Sequence, residues 1–311
     1  MTKHRVLIAA GLLCGLTMAA APRANAMPSP LEVERSSTIT TANAGLARFA
    51  QAAPAPQPTP PAAAPVAAPA EPIGNVATLT GSATVTRTGA ATPLKLKDDI
   101  FKNDVLQTSP NSTLSVTFND ETTFNLTANS RIAVDNYVYE EGGARNAALF
   151  NVARGTVAFV ASQVAKTGDM KIATPTATLG IRGTTGLVEV PEGAAAAGAS
   201  NVAIKLYPDA DGKVGRIEVN GRDGARLGLL SQGSTGFAIR PDMGAGARFA
   251  AVPLAISPQQ AARDQGIVRQ VHAAQRVGRQ VVTQRRNAIR NNPALRNNPA
   301  RQPGGPRQNN L

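Results

Sequence analysis

The sequence predicts an all-β domain, a sandwich or barrel of short strands, followed by one basic amphipathic helix. Three observations predict it. Apolar and polar residues alternate through the middle of the chain, with turn residues recurring about every 8–12 positions. Gly 28, Pro 23, 4% aromatic residues and no Trp describe strands and turns flanked by low-complexity segments. A helical period appears only after Ser257.

In chain order, Thr2-Lys3-His4-Arg5 forms a positive start, Val6 to Ala21 a short apolar run, and Ala24-Asn25-Ala26 a small-x-small cleavage site. Residues 1–26 are therefore expected to be a secretory signal peptide. The run is shorter than the roughly 20 apolar residues of a membrane span, so no transmembrane helix is expected in the mature chain. Cys14, the only cysteine, lies within this segment, which leaves the mature chain without disulfide or thiolate chemistry. Residues 27–72 read as a disordered linker, Ser/Thr-rich and then an Ala/Pro spacer extended in the polyproline manner.

Strand grammar opens at Ile73 and defines a β domain over 73–250. Val76-Thr78-Thr80 and Ala83-Val85-Arg87 alternate around Gly81-Ser82, and Gly89-Ala90 closes a turn. Val105 to Thr108, Leu114-Val116-Phe118, Phe124-Leu126 and Ile132-Val134 follow, separated by turns at Asn103, Asn111, Asn119-Asp120-Glu121 and Asn129-Ser130. Tyr137-Tyr139, Leu149 to Phe159 and Met170-Ile172 continue the alternation. Val202-Ile204-Leu206, a turn at 208–212 and Ile217-Val219 read as a hairpin, and Ala225-Leu227-Leu229 and Phe237-Ile239 end the region. Residues 192–201 read as a flexible surface insertion.

The tail, 251–290, is expected to be the helix. Ser257 suits the N-cap, Pro258 the first turn and Gln260 the capping box. At 100° per residue Ile267, Val271, Ala274, Val277, Val281 and Val282 share one arc, with Val268, Arg285 and Ile289 misplaced. Arg269, Arg276, Arg279, Arg286 and Arg290 take the opposite arc. Residues 291–311 read as a disordered tail.

The formal charge of +12 is confined to the ends. Lys3, Arg5 and Arg23 fall in the targeting segment, and ten arginines against Asp264 alone occupy 257–311. Removing these from 32 basic and 20 acidic residues leaves 19 of each, so the body is neutral. That distribution supports surface association and argues against nucleic acid as a partner, as does the lack of stacking aromatics.

The residue inventory is poor in chemistry. His272 is the one histidine beyond the targeting segment and lies on the tail helix, so no His-based triad, Cys–His dyad or ordinary zinc site is expected in the β body. No phosphate-binding glycine loop opens a helix there, because the body carries no convincing helix. The carboxylates Asp98-Asp99, Asp104, Asp120-Glu121 and Glu140-Glu141 each read as solvated turn residues rather than a catalytic pair. Tyr207-Pro-Asp209-Ala-Asp211-Gly212 with Glu218 imitates a calcium loop, but Tyr207 stands where an Asp ligand is needed. No enzyme activity, cofactor or metal is expected.

The most distinctive run is Thr174-Pro175-Thr176-Ala177-Thr178-Leu179-Gly180-Ile181-Arg182-Gly183-Thr184, where two glycines bracket one arginine in a strand context. Glycine there marks a bulge or a close backbone approach. Arg182 reads either as a staple pinning neighbouring turns or as a direct contact to a ligand or partner. Thr174, Pro175, Gly180, Arg182, Gly183 and Thr184 form the candidate binding or fold-staple motif.

This run resembles the hallmark of the FecR domain family, named after the ferric-citrate sensor of Gram-negative bacteria, through Thr174, Pro175, Ala177, Gly180, Arg182, Gly183 and Thr184. Asn103 to Thr108, Leu114 to Leu126 and Asn129-Ser130-Ile132 resemble further family segments in order, with Glu121 where glycine is commoner. The similarity spans about 73–190, weaker to 240. It implies a jelly-roll-like β-sandwich in the periplasm. The sensing members carry a cytoplasmic sigma-factor-binding segment and a membrane helix before the domain. Here the signal peptide occupies that place, so direct sigma-factor control across the membrane is not expected.

Two functions follow as expectations. One is a non-enzymatic periplasmic binding or signal-relay module that contacts an envelope protein or glycan. The other is a structural envelope protein attached to anionic lipid or lipopolysaccharide through Arg269, Arg276, Arg279, Arg286 and Arg290.

Overall fold

The computed structural model describes residues 71–167, 169–194, 201–241 and 249–291. The segment expected to be a signal peptide (1–26), nearly all of the expected linker and the residues beyond Asn291 lie outside the described residues.

The period-2 segments become seventeen strands joined in one hydrogen-bonded network that forms two layers, sheet A and sheet B. Strand β1 (Gly74–Thr80) starts sheet A, and the chain crosses to sheet B for β2 (Ala83–Arg87) and β3 (Ala90–Pro93). It returns for β4 (Asp99–Ile100), crosses again for β5 (Val105–Thr108), and comes back for β6 (Thr113–Phe118) and β7 (Thr123–Leu126). Strand β8 (Arg131–Val138) lies in sheet B and β9 (Ala147–Val160) belongs to both layers. After a short helix, α1 (Gln163–Thr167), come β10 (Asp169–Ala173) and β11 (Ala177–Arg182) in sheet B, then β12 (Thr185–Val190) and β13 (Val202–Tyr207) in sheet A. Strands β14 (Arg216–Gly221) and β15 (Arg226–Leu230) extend sheet B, β16 (Thr235–Pro241) and β17 (Phe249–Pro253) extend sheet A, and α2 (Pro258–Asn291) closes the described chain.

Neighbouring strands thus run β4-β1-β6-β7-β9-β12-β13-β16-β17 in sheet A and β3-β2-β5-β8-β9-β10-β11-β14-β15 in sheet B. All pairs are antiparallel except β9 with β10. The switch of β9 between layers falls at Gly155. Residues 147–154 pair with β8, and from Gly155 onward the strand pairs with β7 and β12. Gly155 has φ +91°, and a Cβ there would strike the backbone of Ser130, so both conformation and space require glycine at the corner.

The inner faces of the layers supply the core. Phe118 and Phe124 of sheet A meet Phe150 of sheet B at ring-centroid distances of 5.0 and 4.5 Å, and Tyr137 stacks on Phe118 at 5.4 Å. All four phenylalanines of this cluster, Phe159 included, are fully buried, and each stabilises the fold by about 1.5–3 kcal/mol relative to exposure.

The all-β sandwich with a C-terminal helix agrees with the sequence reading, but several details differ. The 202–219 segment is not a hairpin. Strand β13 pairs with β12 and β16 while β14 pairs with β11 and β15, so the 208–215 turn carries the chain from one layer to the other. The same holds at Gly81-Ser82, between β1 and β2. Alternation gives the faces of each strand but not which strand it pairs with, and both hairpins and arches satisfy it. The body does contain a helix, α1, one turn tied down by Asp120, whose carboxylate accepts from the Val164 amide at 3.1 Å.

Two turn carboxylates read as solvated are buried. Asp104 (1% exposed) accepts from both Nε and a terminal nitrogen of Arg87, at 2.7 and 2.9 Å, and from the Phe101 amide. Asp120 (0% exposed) accepts from Tyr137 Oη, Thr122 Oγ1 and the Thr122 and Val164 amides. These groups satisfy turn and helix amides that burial would otherwise leave unpaired. Burial still pushes the Asp120 carboxyl up, against the lowering effect of its hydrogen bonds.

Candidate functional site

The 174–184 run builds one hairpin and one layer crossing. Thr174 closes the β10–β11 turn. Its amide donates to Ala177 O at 2.8 Å and its hydroxyl to the same oxygen at 2.9 Å, while the Ala177 amide donates back to the hydroxyl at 3.0 Å. Pro175 sits at the tip, and its carbonyl accepts from Arg222 at 3.1 Å. Arg182 ends β11, exposed, in register with Arg216 of β14. Gly183 has φ +51°, and a Cβ on Gly215 would run into the carbonyls of Arg182 and Gly183. Gly183 is therefore required by its φ, and the close backbone approach falls on Gly215, which passes beside it. Thr184 is fully buried, with its hydroxyl 3.4 Å from Tyr207 O.

Gly180 is different. Its φ is ordinary, and a Cβ there would meet only Glu218 Cβ at 3.7 Å, normal van der Waals contact. It lies on the outer face of sheet B, in one row with Lys171 and Glu218. Neither backbone nor packing requires glycine at this point, although glycine in a strand costs about 0.5–1 kcal/mol. Beside it Asn151, Ala173, Thr174, Pro175, Thr178 and Arg222 line a shallow hollow of about 340 Å³. The outer face of sheet B thus presents small and polar side chains to solvent around the hallmark turn.

The outer face of sheet A is covered by α2. The helix starts as the sequence indicates: the Gln260 amide donates to Ser257 Oγ at 3.3 Å, and the Ser257 amide to Gln260 Oε1 at 3.0 Å. Its buried stripe is Asp264, Val268, Val271, Ala274, Gly278 and Val282. The stripe is rotated from the arc read in the sequence. Val268, read as misplaced, packs with Val271, Leu187, Val160 and Tyr207, while Val277 is 43% exposed. The reason is that α2 sits where the sheet is polar. A helix following only its apolar residues would not bury Asp264 or bring Gly278 against Thr117, where a Cβ would overlap that side chain.

Polar contacts set the position of α2 on sheet A. Lys205, alone in the apolar strand β13 and 1% exposed, donates to Asp264 at 2.8 Å and Glu189 at 2.9 Å; Tyr207 Oη donates to Asp264 at 2.7 Å. Burial, then Asp264, push the Tyr207 phenol well up. Farther along, Thr185 donates to Asp209 at 2.6 Å and lies 2.9 Å from His272 Nε2. This trio is not a nucleophile triad, because the carboxylate meets the hydroxyl rather than the imidazole and Thr185 is fully buried. Burial holds the His272 imidazole below its usual range, with Asp209 opposing and Arg276 reinforcing, and burial raises Asp209.

The arginines of α2 divide. Arg279 pairs with Glu121 at 2.7 Å, Arg286 donates to Asn119 O at 2.6 Å and Arg285 pairs with Asp99. Arg269, Arg276 and Arg290 are exposed, Arg290 next to Asn287 Oδ1 at 3.2 Å. Glu121 holds φ +70°, the left-handed conformation that suits the glycine commoner there, and its carbonyl also accepts from Gln275 at 3.2 Å. The departure from the family pattern gives α2 a carboxylate to hold.

Sequence reasoning missed the Lys205–Asp264 pair. Its signal was present: Asp264 is the one acid in an arginine-rich tail, and Lys205 the one charge in Val202–Tyr207. Among the described residues no cluster of His, Cys, Asp and Glu could hold a metal, and no helix is long and apolar enough to cross a membrane.

The described residues thus form a β-sandwich with one outer face covered by α2 and one open, and the 174–184 run shapes a turn beside the open face. Residues 104–204 match the family described as FecR protein. Residues 104–204 thus form a FecR-type domain. The match runs from β5 through the first half of β13, so β14 and β15, which widen sheet B beside the hallmark, and the covering helix lie outside it. No curated protein matches the chain. Two crystal structures of a provisionally assigned anti-sigma factor from Parabacteroides distasonis ATCC 8503, at 2.50 and 1.65 Å, are similar to 53% of this chain and to 73% and 74% of that one. Their identities are 12% and 11% and the TM-score is 0.34 in both; a likeness this slight decides nothing further.

Proposed function

We propose that the protein is a non-enzymatic binding or signal-relay module of the bacterial periplasm, exported by residues 1–26, and that it meets its partner through the outer face of sheet B around Gly180. The carrying observation is Gly180 itself, a strand glycine that neither φ nor internal packing requires, on the open layer beside the hallmark turn. A residue without a side chain there lets another backbone or a flat surface approach the sheet. Arg182, exposed two residues beyond Gly180 at the end of β11 away from the turn, and Arg222 at the hollow flank that flat spot. An envelope protein fits this surface better than a glycan, since the hollow has no aromatic ring for a sugar to stack on.

The test is a photo-crosslinking residue at Thr178 or Lys171 in the full chain, expressed in a Gram-negative host. A discrete protein adduct is expected, lost on Gly180→Arg while thermal unfolding stays cooperative. Adducts no stronger than those from Ala273, on the exposed side of α2, would overturn the assignment. The same preparation checks export: the mature protein should begin at Met27.

A further inference from the structure

Among the described residues, no strand or helix packs on the outer side of the helix that covers sheet A. α2 carries seven arginines and one acid. The acid, Asp264, is buried against Lys205 and Tyr207, so it neutralises nothing on the outer side. Arg279, Arg285 and Arg286 are turned to Glu121, Asp99 and Asn119. Arg263, Arg269 and Arg276 remain exposed, as does Arg290 at the helix end beside Asn287. Arg269 and Arg276, seven residues and about 10 Å apart, share one side of the helix, and Arg263, six residues earlier, flanks them about 120° around the axis. That spacing is close to the Debye length at physiological salt, about 8 Å, so Arg269 and Arg276 act on an extended anionic surface together, with Arg263 at its margin.

We infer that this outer strip of α2 docks the domain on an anionic phospholipid bilayer surface by charge alone, without inserting into it. Insertion of an amphipathic helix needs a free apolar face. Here Val268, Val271, Ala274 and Val282 are buried on the β domain, and Val277 is the one large apolar side chain of α2 that is markedly exposed among the described residues. The docking is therefore reversible and released by salt. It also orients the molecule: sheet A lies toward the bilayer, and the Gly180 face of sheet B points away from it. The inference does not depend on what binds sheet B, since it concerns the opposite side of the sandwich.

The experiment is co-sedimentation of the full chain with vesicles of phosphatidylglycerol and phosphatidylcholine in a 3:7 ratio, and with phosphatidylcholine alone, at low and high salt. Excess binding to the anionic vesicles is expected at low salt and should vanish at high salt. Each basic residue near such a surface contributes about fivefold, so Arg263→Gln, Arg269→Gln and Arg276→Gln combined should lower the excess by at least tenfold. Arg131→Gln, Arg216→Gln and Arg226→Gln, which remove equal charge from the sheet B side, should leave it nearly unchanged. Both sets keep the same N-terminal segment, so its own affinity cancels. Equal losses from the two sets, or an excess that persists at high salt, would overturn the inference. A fluorophore at Gln280, in a Cys14→Ser background, should be quenched by headgroup-labelled vesicles while one at Lys171 is not; the reverse would also overturn it.

Discussion

The two outer faces of the sandwich are built from the same alternating grammar and end in different environments. On sheet B the outward positions, among them Asn151, Lys171, Thr178, Gly180 and Glu218, face solvent. On sheet A the outward positions Ser115, Thr117, Thr123, Asn125, Thr185 and Lys205 are also polar, yet all are buried beneath α2. They are satisfied by one another and by the helix: Ser115 with Asn125 at 2.9 Å, Thr117 with Thr123 at 2.9 Å, Lys205 with Asp264. A polar sheet face is thus no guide to exposure. What decides is whether another element supplies matching polar groups, and α2 does so at each end of its stripe. The difference gives one side a structural role and leaves the other as the side proposed for contact.

The comparison breaks most visibly at Asp264. Asp264→Ala leaves Lys205 buried with only Glu189, and removal of one partner of a buried pair costs about 3 kcal/mol, measurable by urea denaturation. Asp264→Leu with Lys205→Met should recover most of the loss, because an apolar pair of similar volume avoids desolvating charge. Next in size is Gly278→Ala. Helix propensity alone favours alanine by about 1 kcal/mol, but the added Cβ overlaps Thr117, so a net loss of about 1–2 kcal/mol is expected. A gain would mean that α2 does not lie this close to sheet A.

A gentler probe is pH. Because His272 is held below its ordinary range in the folded protein, the unfolded chain takes up the proton first as pH falls below about 6.5. Stability should therefore drop between pH 7.5 and 5.5, and His272→Gln should flatten that slope in thermal melts. Asp209, raised by burial, acts with opposite sign and only nearer the carboxylate range. The smallest effects belong to the open face and its edge. Gly180→Ala should stabilise by about 0.5–1 kcal/mol, since it removes strand glycine without crowding anything, while weakening partner capture. Glu121→Gly trades left-handed strain for the half-exposed Arg279 pair, two terms of about 1 kcal/mol or less that nearly cancel.

Much of the fold was legible because its signals are local. Turns at Asn103, Asn111 and Asn129 were read from residue type, and all three hold positive φ, at 68°, 55° and 58°. The cap at Ser257 and the strands around Phe118, Phe124 and Phe150 were equally local. Pairing was not legible, since the 208–215 arch and a hairpin share the same alternation and differ only in which distant strand lies alongside. Nor was the burial of Asp104 and Asp120, which depends on Arg87 and Tyr137, each 17 residues away. On the helix, the periodicity identified an apolar arc but not its rotation, because Asp264 and Gly278 count against burial until Lys205 and Thr117 are known to face them. The hallmark run was prominent in the sequence. Its division into fold-determining members (Thr174, Gly183 and Thr184) and the dispensable glycine, Gly180, required the space around each residue.

Cysteine labelling tests the contrast between the faces most directly. In a Cys14→Ser background, Thr178→Cys on sheet B should react with a maleimide at the rate of an exposed thiol. Ser115→Cys and Asn125→Cys on sheet A should be blocked in the folded protein, and become reactive when the chain is ended before Ser257. Equal labelling of the two faces in the intact protein would contradict the account.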